Sequence, residues 1–272
     1  MFVMVDGEIV ENGEVTLPYT DQGLQRGDGC FEFVRLYDGA FFALDEHLDR
    51  LTKSADMLGL ELPDRDTITG WFHTARENAA PYGCGVRLLV TRREPDTKRV
   101  RCVLGVDELP APRLWRMTVV NAPWQPAGAP WELAGAKTLS YAPNMAAARL
   151  AQDRGYDDAV LISRSGVVLE APRAALAWAI GGVLETPALT LGILDSITRR
   201  HVLLAASEIG IEVVEGQFHL DRMLAADEVL GLSSAKEVAS IVAIDDNTYP
   251  EGPVTERLAK AFTDRVSSLI EL

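Results

Sequence analysis

Hydrophobic and polar positions follow two different rhythms along the chain, one typical of strands and one typical of helices. Short runs rich in aromatic and β-branched residues, bounded by glycine or by Asp-Gly pairs, predict strands. Apolar residues that recur every three or four positions predict amphipathic helices. The predicted strands are 2–5, 8–10, 30–37, 40–44, 86–91, 100–104, one directly after residue 113, 159–162, 173–180, 183–186, 212–214 and 228–230. The predicted helices are 45–58, 66–79, 145–154, 196–210, 220–225 and a last one from residue 254.

Several predicted helices carry recognisable boundary residues. Asp45 is the predicted N-cap of the first helix, and Gly59 follows its last apolar residue. Ser196 caps a later helix, and Pro253 suits the first turn of the last one. Residues 21–29, in contrast, are so rich in glycine that we predict no regular element there.

The order of these elements predicts two α+β domains. Residues 108–113 contain two prolines, which favour an extended and stiff connection. We therefore expect a smaller domain over 1–107, a linker over 108–113 and a larger domain over 114–272.

Composition narrows the possible partners. The chain has 272 residues and a net charge of −14, which argues against nucleic acid or an anionic membrane surface as a partner. A local group of arginines can still bind a small anion. The three cysteines show no C-x-x-C spacing, and the N-terminus has no basic leader. We therefore expect no disulfide framework, no signal peptide and a reducing cytoplasm.

General site motifs are missing from the sequence. The four histidines do not have the spacing of metal ligands, so we expect no metal site. No apolar run reaches the length of about 18 residues that a membrane helix needs. The glycines at 27–29 lack the Rossmann spacing, and there is neither a Walker lysine nor a nucleophile elbow.

Three stretches together form a more specific pattern. Lys137 opens the segment KTLSYAPN between a Gly- and Pro-rich loop and a predicted helix. Glu170 follows 33 residues later, and Ser196-Ile197-Thr198 opens a further helix. This order resembles the class IV aminotransferases, the fold-type IV enzymes of pyridoxal 5'-phosphate (PLP). The class includes branched-chain aminotransferases, D-amino-acid aminotransferases and aminodeoxychorismate lyases.

The resemblance implies a fold, an assembly and a set of cofactor-binding residues. The expected fold is α+β, with a small N-terminal α/β domain and a larger C-terminal α/β-barrel-like domain, assembled as a homodimer. Lys137 matches the lysine that forms the Schiff base and moves the Cα proton, and Glu170 matches the carboxylate that pairs with the pyridine nitrogen. The remaining matches are Ile197 and Thr198 at a helix N-terminus for the phosphate, Ser234 and Ala235 in a second phosphate loop, Arg50 from the small domain, and Tyr141 near the cofactor's phenolic oxygen.

Four positions depart from the pattern of the class. Ala175 replaces an asparagine that usually follows the glutamate, and Ser196 replaces a glycine. Branched-chain enzymes place a tyrosine five residues after the lysine, where this chain has Ala142, with Tyr141 one residue early. D-amino-acid aminotransferases of the Bacillus type hold the substrate carboxylate with an Arg-x-His pair, and residues 92–101 contain no histidine.

The reaction stays open between two alternatives. The first is transamination between a D-amino acid and a 2-keto acid, which the absence of branched-chain features favours. The second is the lyase reaction that releases pyruvate and 4-aminobenzoate from aminodeoxychorismate. Such lyases typically have a threonine where this chain has Phe33, whose ring would instead form an apolar wall. The predicted substrate-binding residues are Arg26 and Arg173 for a carboxylate, and Phe31 and Phe33.

Overall fold

The computed structural model describes residues 2–80, 83–110, 114–122 and 132–270. Its described residues divide into two compact units. The first unit comprises Met1–Pro110, Ala136–Tyr141 and Leu269–Leu272, and the second comprises Ala111–Gly135 and Ala142–Ser268. The predicted larger domain, 114–272, thus contains a short segment around Lys137 that clusters with the first unit. Residues 111–113 of the predicted linker lie outside the described residues.

The described part of the first unit is an antiparallel sheet with one short and two longer helices. Its strands are β1 (Val3–Val5), β2 (Glu8–Ile9), β3 (Gly29–Tyr37), β4 (Ala40–Phe41), β5 (Cys84–Arg92) and β6 (Val100–Glu108). Its helices are α1 (Gln22–Arg26), α2 (Leu44–Leu58) and α3 (Arg65–Glu77). The strand order is β2-β1-β6-β5-β3-β4, and every pairing is antiparallel.

Alternation along β3 and β5 gives the two faces of this sheet different roles. Val34, Val86 and Leu88 are fully buried in a core shared with α2 and α3. Phe33 and Arg87 alternate with them and are only half-buried. Because successive side chains of a strand point to opposite faces, the second face carries the residues available for a ligand.

Among its described residues, the second unit contains a mixed sheet and four helices. Its strands are β7 (Trp115–Asn121), β8 (Asp158–Ile162), β9 (Ala175–Ile180), β10 (Val183–Pro187), β11 (Val213–Gly216), β12 (Glu228–Ser233), β13 (Glu237–Ile244) and β14 (Asn247–Thr248). Its helices are α4 (Ala142–Asp153), α5 (Ile197–Glu208), α6 (Leu220–Leu224) and α7 (Pro253–Leu269), with one 3-10 turn at Leu189–Leu191. The strand order is β11-β10-β9-β12-β13-β7-β8, and β14 pairs with β13.

These elements confirm the predicted α+β class. They also confirm the strands predicted at 2–5 and 8–10 and at 173–180 and 183–186, and each of these two pairs of strands forms an antiparallel hairpin. The Ser196 cap is confirmed as well, and its hydroxyl accepts from the Arg199 N–H. Among the described residues, no helix is long and apolar enough to cross a membrane.

Two predictions about elements are wrong, and strands β13 and β14 were not predicted. Residues 21–29 do contain a helix, α1, which Asp21 caps and which Gly27 ends at a φ of 69°. The N-cap of α2 is Ala43, at a φ of 53°, and Asp45 lies in the first turn. Strand β13 was overlooked, although its four β-branched residues, Val238, Ile241, Val242 and Ile244, favour a strand. In the structure, β13 pairs with β12 on one side and with β7 on the other.

Candidate active site

Lys137 lies in a short segment that adds to one edge of β3. The Phe31 N–H donates to the Lys137 carbonyl at 3.0 Å, and the Leu139 N–H donates to the Gly29 carbonyl at 2.8 Å. A Cβ at Gly29 would lie 2.7 Å from the Leu139 side chain and 2.1 Å from the Val90 carbonyl, so only glycine permits this approach. The Lys137 N–H donates to the Ser54 hydroxyl on α2 at 3.1 Å.

The Lys137 amine lies against an aromatic wall. Its Nζ is 4.2 Å from the centre of the Phe31 ring, a distance at which the ring face attracts an ammonium group. Tyr141 packs edge-on against the same ring, with ring centres 5.5 Å apart. The structure thus brings the predicted residues Lys137, Phe31 and Tyr141 together.

A buried ionic cluster lies on the other face of β3. Glu32 is fully buried and accepts from Arg50 Nε at 2.7 Å, from Arg50 Nη2 at 2.8 Å and from His47 Nδ1 at 2.9 Å. Burial raises the pKa of Glu32, but the charge and hydrogen bonds of Arg50 and His47 outweigh it and hold that pKa well below its ordinary value. Glu32 is therefore ionised at neutral pH.

The charge of the Lys137 amine affects His47 in this cluster. Burial lowers the pKa of His47, Glu32 opposes that change, and the positive charges of Arg50 and Lys137 lower the pKa further. The imidazole is therefore neutral at pH 7 and donates its Nδ1–H to Glu32. Arg50, the predicted phosphate ligand, uses its Nε and Nη2 on Glu32, and its role toward a phosphate stays a prediction.

The second face of the sheet carries an arginine that the sequence analysis missed. The Arg87 guanidinium lies 5.1 Å from the centre of the Phe33 ring and 5.9 Å from that of Phe31, and it donates to Asp107 at 2.6 Å. Gly85 makes room for Phe33, because a Cβ there would lie 2.4 Å from the Phe33 ring. The available signal was the alternation of β5, which places Arg87 opposite the buried Val86 and Leu88.

The other arginines of this unit have mostly structural partners. Three of them form ion pairs with aspartates: Arg92 with Asp28, Arg93 with Asp6 and Arg101 with Asp21. Carboxylates of the same unit therefore hold residues 92–101, the segment in which D-amino-acid aminotransferases have their Arg-x-His pair. The predicted Arg26 lies in the last turn of α1 and is exposed.

Within the second unit, Glu170 follows β8 and lies beside it. Its carbonyl accepts from the Leu161 N–H at 2.9 Å, and its carboxylate accepts from the Leu194 N–H at 3.2 Å. Leu194 comes shortly before α5, whose first residues Ile197 and Thr198 are buried. The first amides of a helix have no partner inside the helix, so they suit a phosphate.

Three further predicted residues of this unit lie beside the ends of strands. Ser234 and Ala235 form the turn between β12 and β13, where Ser233 pairs with Glu237. Arg173 donates to the buried Asp158 at 3.1 and 3.3 Å. Burial raises the pKa of Asp158 and Arg173 opposes that change, so Arg173 has a structural partner besides any ligand.

The donor set fits PLP. An amine, a carboxylate, the amides of a helix N-terminus and a hydroxyl-bearing turn are the groups that its aldehyde, pyridine nitrogen and phosphate require. Among the described residues, no group of His, Cys, Asp and Glu could hold a metal ion.

We predict that Glu32→Gln destabilises the protein by about 3–5 kcal/mol at pH 7, because it leaves the buried Arg50 charge without its partner. Asp49→Asn is the control. Asp49 lies on the same helix as Arg50 and forms an exposed ion pair with Arg65, and we expect the loss of that pair to cost less than about 1 kcal/mol. Urea denaturation measures both.

The same pair of variants has an expected pH dependence. The pKa of Glu32 is lower in the folded protein, so its stabilisation is present above its ordinary value of 4.5 and is lost as the pH falls below it. The difference between wild type and Glu32→Gln should shrink in that range. An equal effect of both variants at pH 7 would contradict the cluster's role.

The comparisons with known proteins identify the family. The family model described as amino-transferase class IV matches residues 29–244. A putative branched-chain-amino-acid aminotransferase of Methanocaldococcus jannaschii is 32% identical over 97% of this chain and 96% of its own length. A D-alanine aminotransferase of Listeria monocytogenes is 31% identical over 98% of this chain and 96% of its own length.

A solved structure shows the same fold. The fold IV transaminase from Curtobacterium pusillum superposes with a TM-score of 0.88 at 28% identity, covering 96% of this chain and 98% of its own. The family match spans well over half of the sequence and includes Lys137 and Glu170. The chain therefore belongs to the class IV aminotransferases, the PLP-dependent family of fold type IV.

Proposed function

We propose that the protein is a transaminase that moves an amino group between a D-amino acid and a 2-keto acid, with Lys137 as its Schiff-base lysine. The observation that carries the proposal is the position of the Lys137 amine on the Phe31 ring, with Arg87 against the same ring. An amine and a guanidinium on one aromatic wall suit a substrate that has an amino group and a carboxylate.

Lys137 has two tasks in this proposal. Its amine holds the cofactor between turnovers, and once the substrate has displaced it, the amine accepts the Cα proton and returns it to the other reacting carbon. PLP, when bound, supplies the electron sink that stabilises the carbanion left by that proton. The Phe31 ring lies against one side of the amine.

The remaining cofactor roles follow the resemblance. We propose that Glu170 pairs with the pyridine nitrogen and that Ile197, Thr198, Ser234 and Ala235 hold the phosphate. Arg50 adds a positive charge near the phosphate. Tyr141 packs against the Phe31 ring and is a candidate hydrogen-bond partner of the cofactor's phenolic oxygen. The homodimer and the cytoplasmic location stay predictions from the sequence.

Arg87 is the proposed carboxylate ligand of the first unit, together with the exposed Arg26. Asp107 neutralises part of the Arg87 charge but occupies only one side of the guanidinium fork. The Phe33 ring lies beside Arg87 and adds an apolar surface. This surface suits a substrate whose side chain is apolar. Arg173 stays a second candidate from the other unit.

Two observations support a D-amino acid as the donor. Ala142 stands where branched-chain enzymes place a tyrosine, and the Listeria relative is named a D-alanine aminotransferase. Phe33 has no hydroxyl to replace the threonine of the lyases, which weighs against the lyase reaction.

We expect the purified, PLP-loaded protein to convert D-alanine to pyruvate when 2-oxoglutarate is the acceptor. The measurement is the formation of the 2-keto acid of each donor, assayed separately: pyruvate from D-alanine, 2-oxoglutarate from D-glutamate and 4-methyl-2-oxopentanoate from L-leucine. Each assay uses an acceptor that differs from the keto acid being measured. Turnover of L-leucine only would replace the proposal with a branched-chain enzyme. Release of 4-aminobenzoate from aminodeoxychorismate without transamination would replace it with the lyase.

We also predict that Arg87→Gln raises the KM for the amino donor about 10- to 100-fold, because it removes charged hydrogen bonds of about 1.5–3 kcal/mol to the carboxylate. Arg116→Gln is the matched control, since Arg116 is an exposed arginine that lies 5.5 Å from the Tyr156 ring in the other unit. Steady-state kinetics measures both variants. A KM that does not change in Arg87→Gln would remove Arg87 from the carboxylate site.

A further inference from the structure

Lys137 belongs to no helix or strand, so its position depends on contacts from other elements. The Phe31 N–H fixes its carbonyl from β3, and the Ser54 hydroxyl on α2 accepts from its N–H. The two main-chain polar groups of Lys137 are therefore held by two different elements. Two anchors in different directions restrict rotation of the residue more than the β3 contact would by itself.

Ser54 is built into α2 as both a donor and an acceptor. Its hydroxyl donates to the Arg50 carbonyl at 2.9 Å and accepts from the Lys137 N–H at 3.1 Å. The side chain is 1% exposed, so water cannot easily replace it. A hydroxyl has one hydrogen and two lone pairs, and here the bond to Arg50 orients a lone pair toward Lys137.

This arrangement connects the lysine to the ionic cluster. Arg50 and His47 lie on the turns of α2 that precede Ser54, and Glu32 fixes both side chains. The Lys137 amine lies at the end of a flexible four-carbon chain, so a small rotation at its Cα moves the amine by a larger distance. Proton transfer depends steeply on that distance.

We propose that Ser54 is a positioning residue of the active site, which holds the backbone of Lys137 so that its amine meets the reacting carbon. The proposal rests on Lys137 being the Schiff-base lysine. Ser54 touches neither the cofactor nor the substrate in this role and acts only through Lys137.

The test compares Ser54→Ala with Thr52→Ala. Thr52 lies on the same helix and donates to the Leu48 carbonyl at 3.0 Å, the same kind of bond that Ser54 makes to Arg50, and it is exposed. Both variants lose the hydrogen bond from a side-chain hydroxyl to the carbonyl four residues earlier in the helix. Only Ser54→Ala also removes the hydroxyl that accepts from the Lys137 N–H. Ser54→Thr restores a hydroxyl and serves as the rescue variant.

The first readout uses the protein without PLP. We expect hydrogen exchange at the Lys137 amide to become about tenfold faster in Ser54→Ala and to stay unchanged in Thr52→Ala, with global unfolding midpoints alike. Unchanged exchange in Ser54→Ala would show that the hydroxyl does not hold Lys137. This readout does not depend on enzyme activity. It therefore shows whether Ser54 holds Lys137 even if the proposed reaction is wrong.

The second readout uses the PLP-loaded enzyme. We expect kcat to fall about 10- to 100-fold in Ser54→Ala with little change in KM, a shifted pKa of the visible absorbance band, and recovery in Ser54→Thr. Faster exchange at Lys137 with an unchanged kcat and an unchanged band would overturn the positioning role. Equal losses of kcat in Ser54→Ala and Thr52→Ala would overturn it as well, because they would assign the effect to the helix.

Discussion

The buried ion pair between Glu32 and Arg50 is the interaction on which the first unit's site depends. Removing two charges from water is costly, and the pair is stable only because the guanidinium fork meets both carboxylate oxygens and His47 occupies a further lone pair. The pair joins β3 to α2. The same strand carries Phe31 and the same helix carries Ser54, so the two anchors of Lys137 are fixed relative to one another.

The two faces of β3 divide the work between stability and chemistry. The inward face holds the ionic cluster and the apolar core, and the outward face presents Phe31 and Phe33 to Lys137 and Arg87. A strand can do both because its side chains alternate. The net charge of −14 does not conflict with an anionic substrate, since Asp6, Asp21 and Asp28 are used to hold arginines of the neighbouring loop.

Much of this organisation could be predicted from the sequence. Asp-Gly pairs predicted the turns between β1 and β2 and between β3 and β4. The Ser196 cap predicted the start of α5, and the order of Lys137, Glu170 and that helix predicted the family. These signals are local, because each depends on a few neighbouring residues whose chemistry is specific.

The remainder depends on contacts between distant parts of the chain. Ala43 rather than Asp45 caps α2, because the turn after β4 sets the backbone of Ala43. Arg87 and Ser54 were missed because their roles depend on which segments lie beside them. An arginine in a strand and a serine in a helix carry no such information by themselves.

The most direct test of the account is to locate the cofactor on the chain. Reduction of the PLP-loaded protein with borohydride, followed by digestion and mass spectrometry, identifies the lysine to which PLP was joined. The account predicts a phosphopyridoxyl group on Lys137 and none on Lys53, Lys98, Lys236 or Lys260. A label on one of those lysines, or no label in a protein that binds PLP, would contradict it.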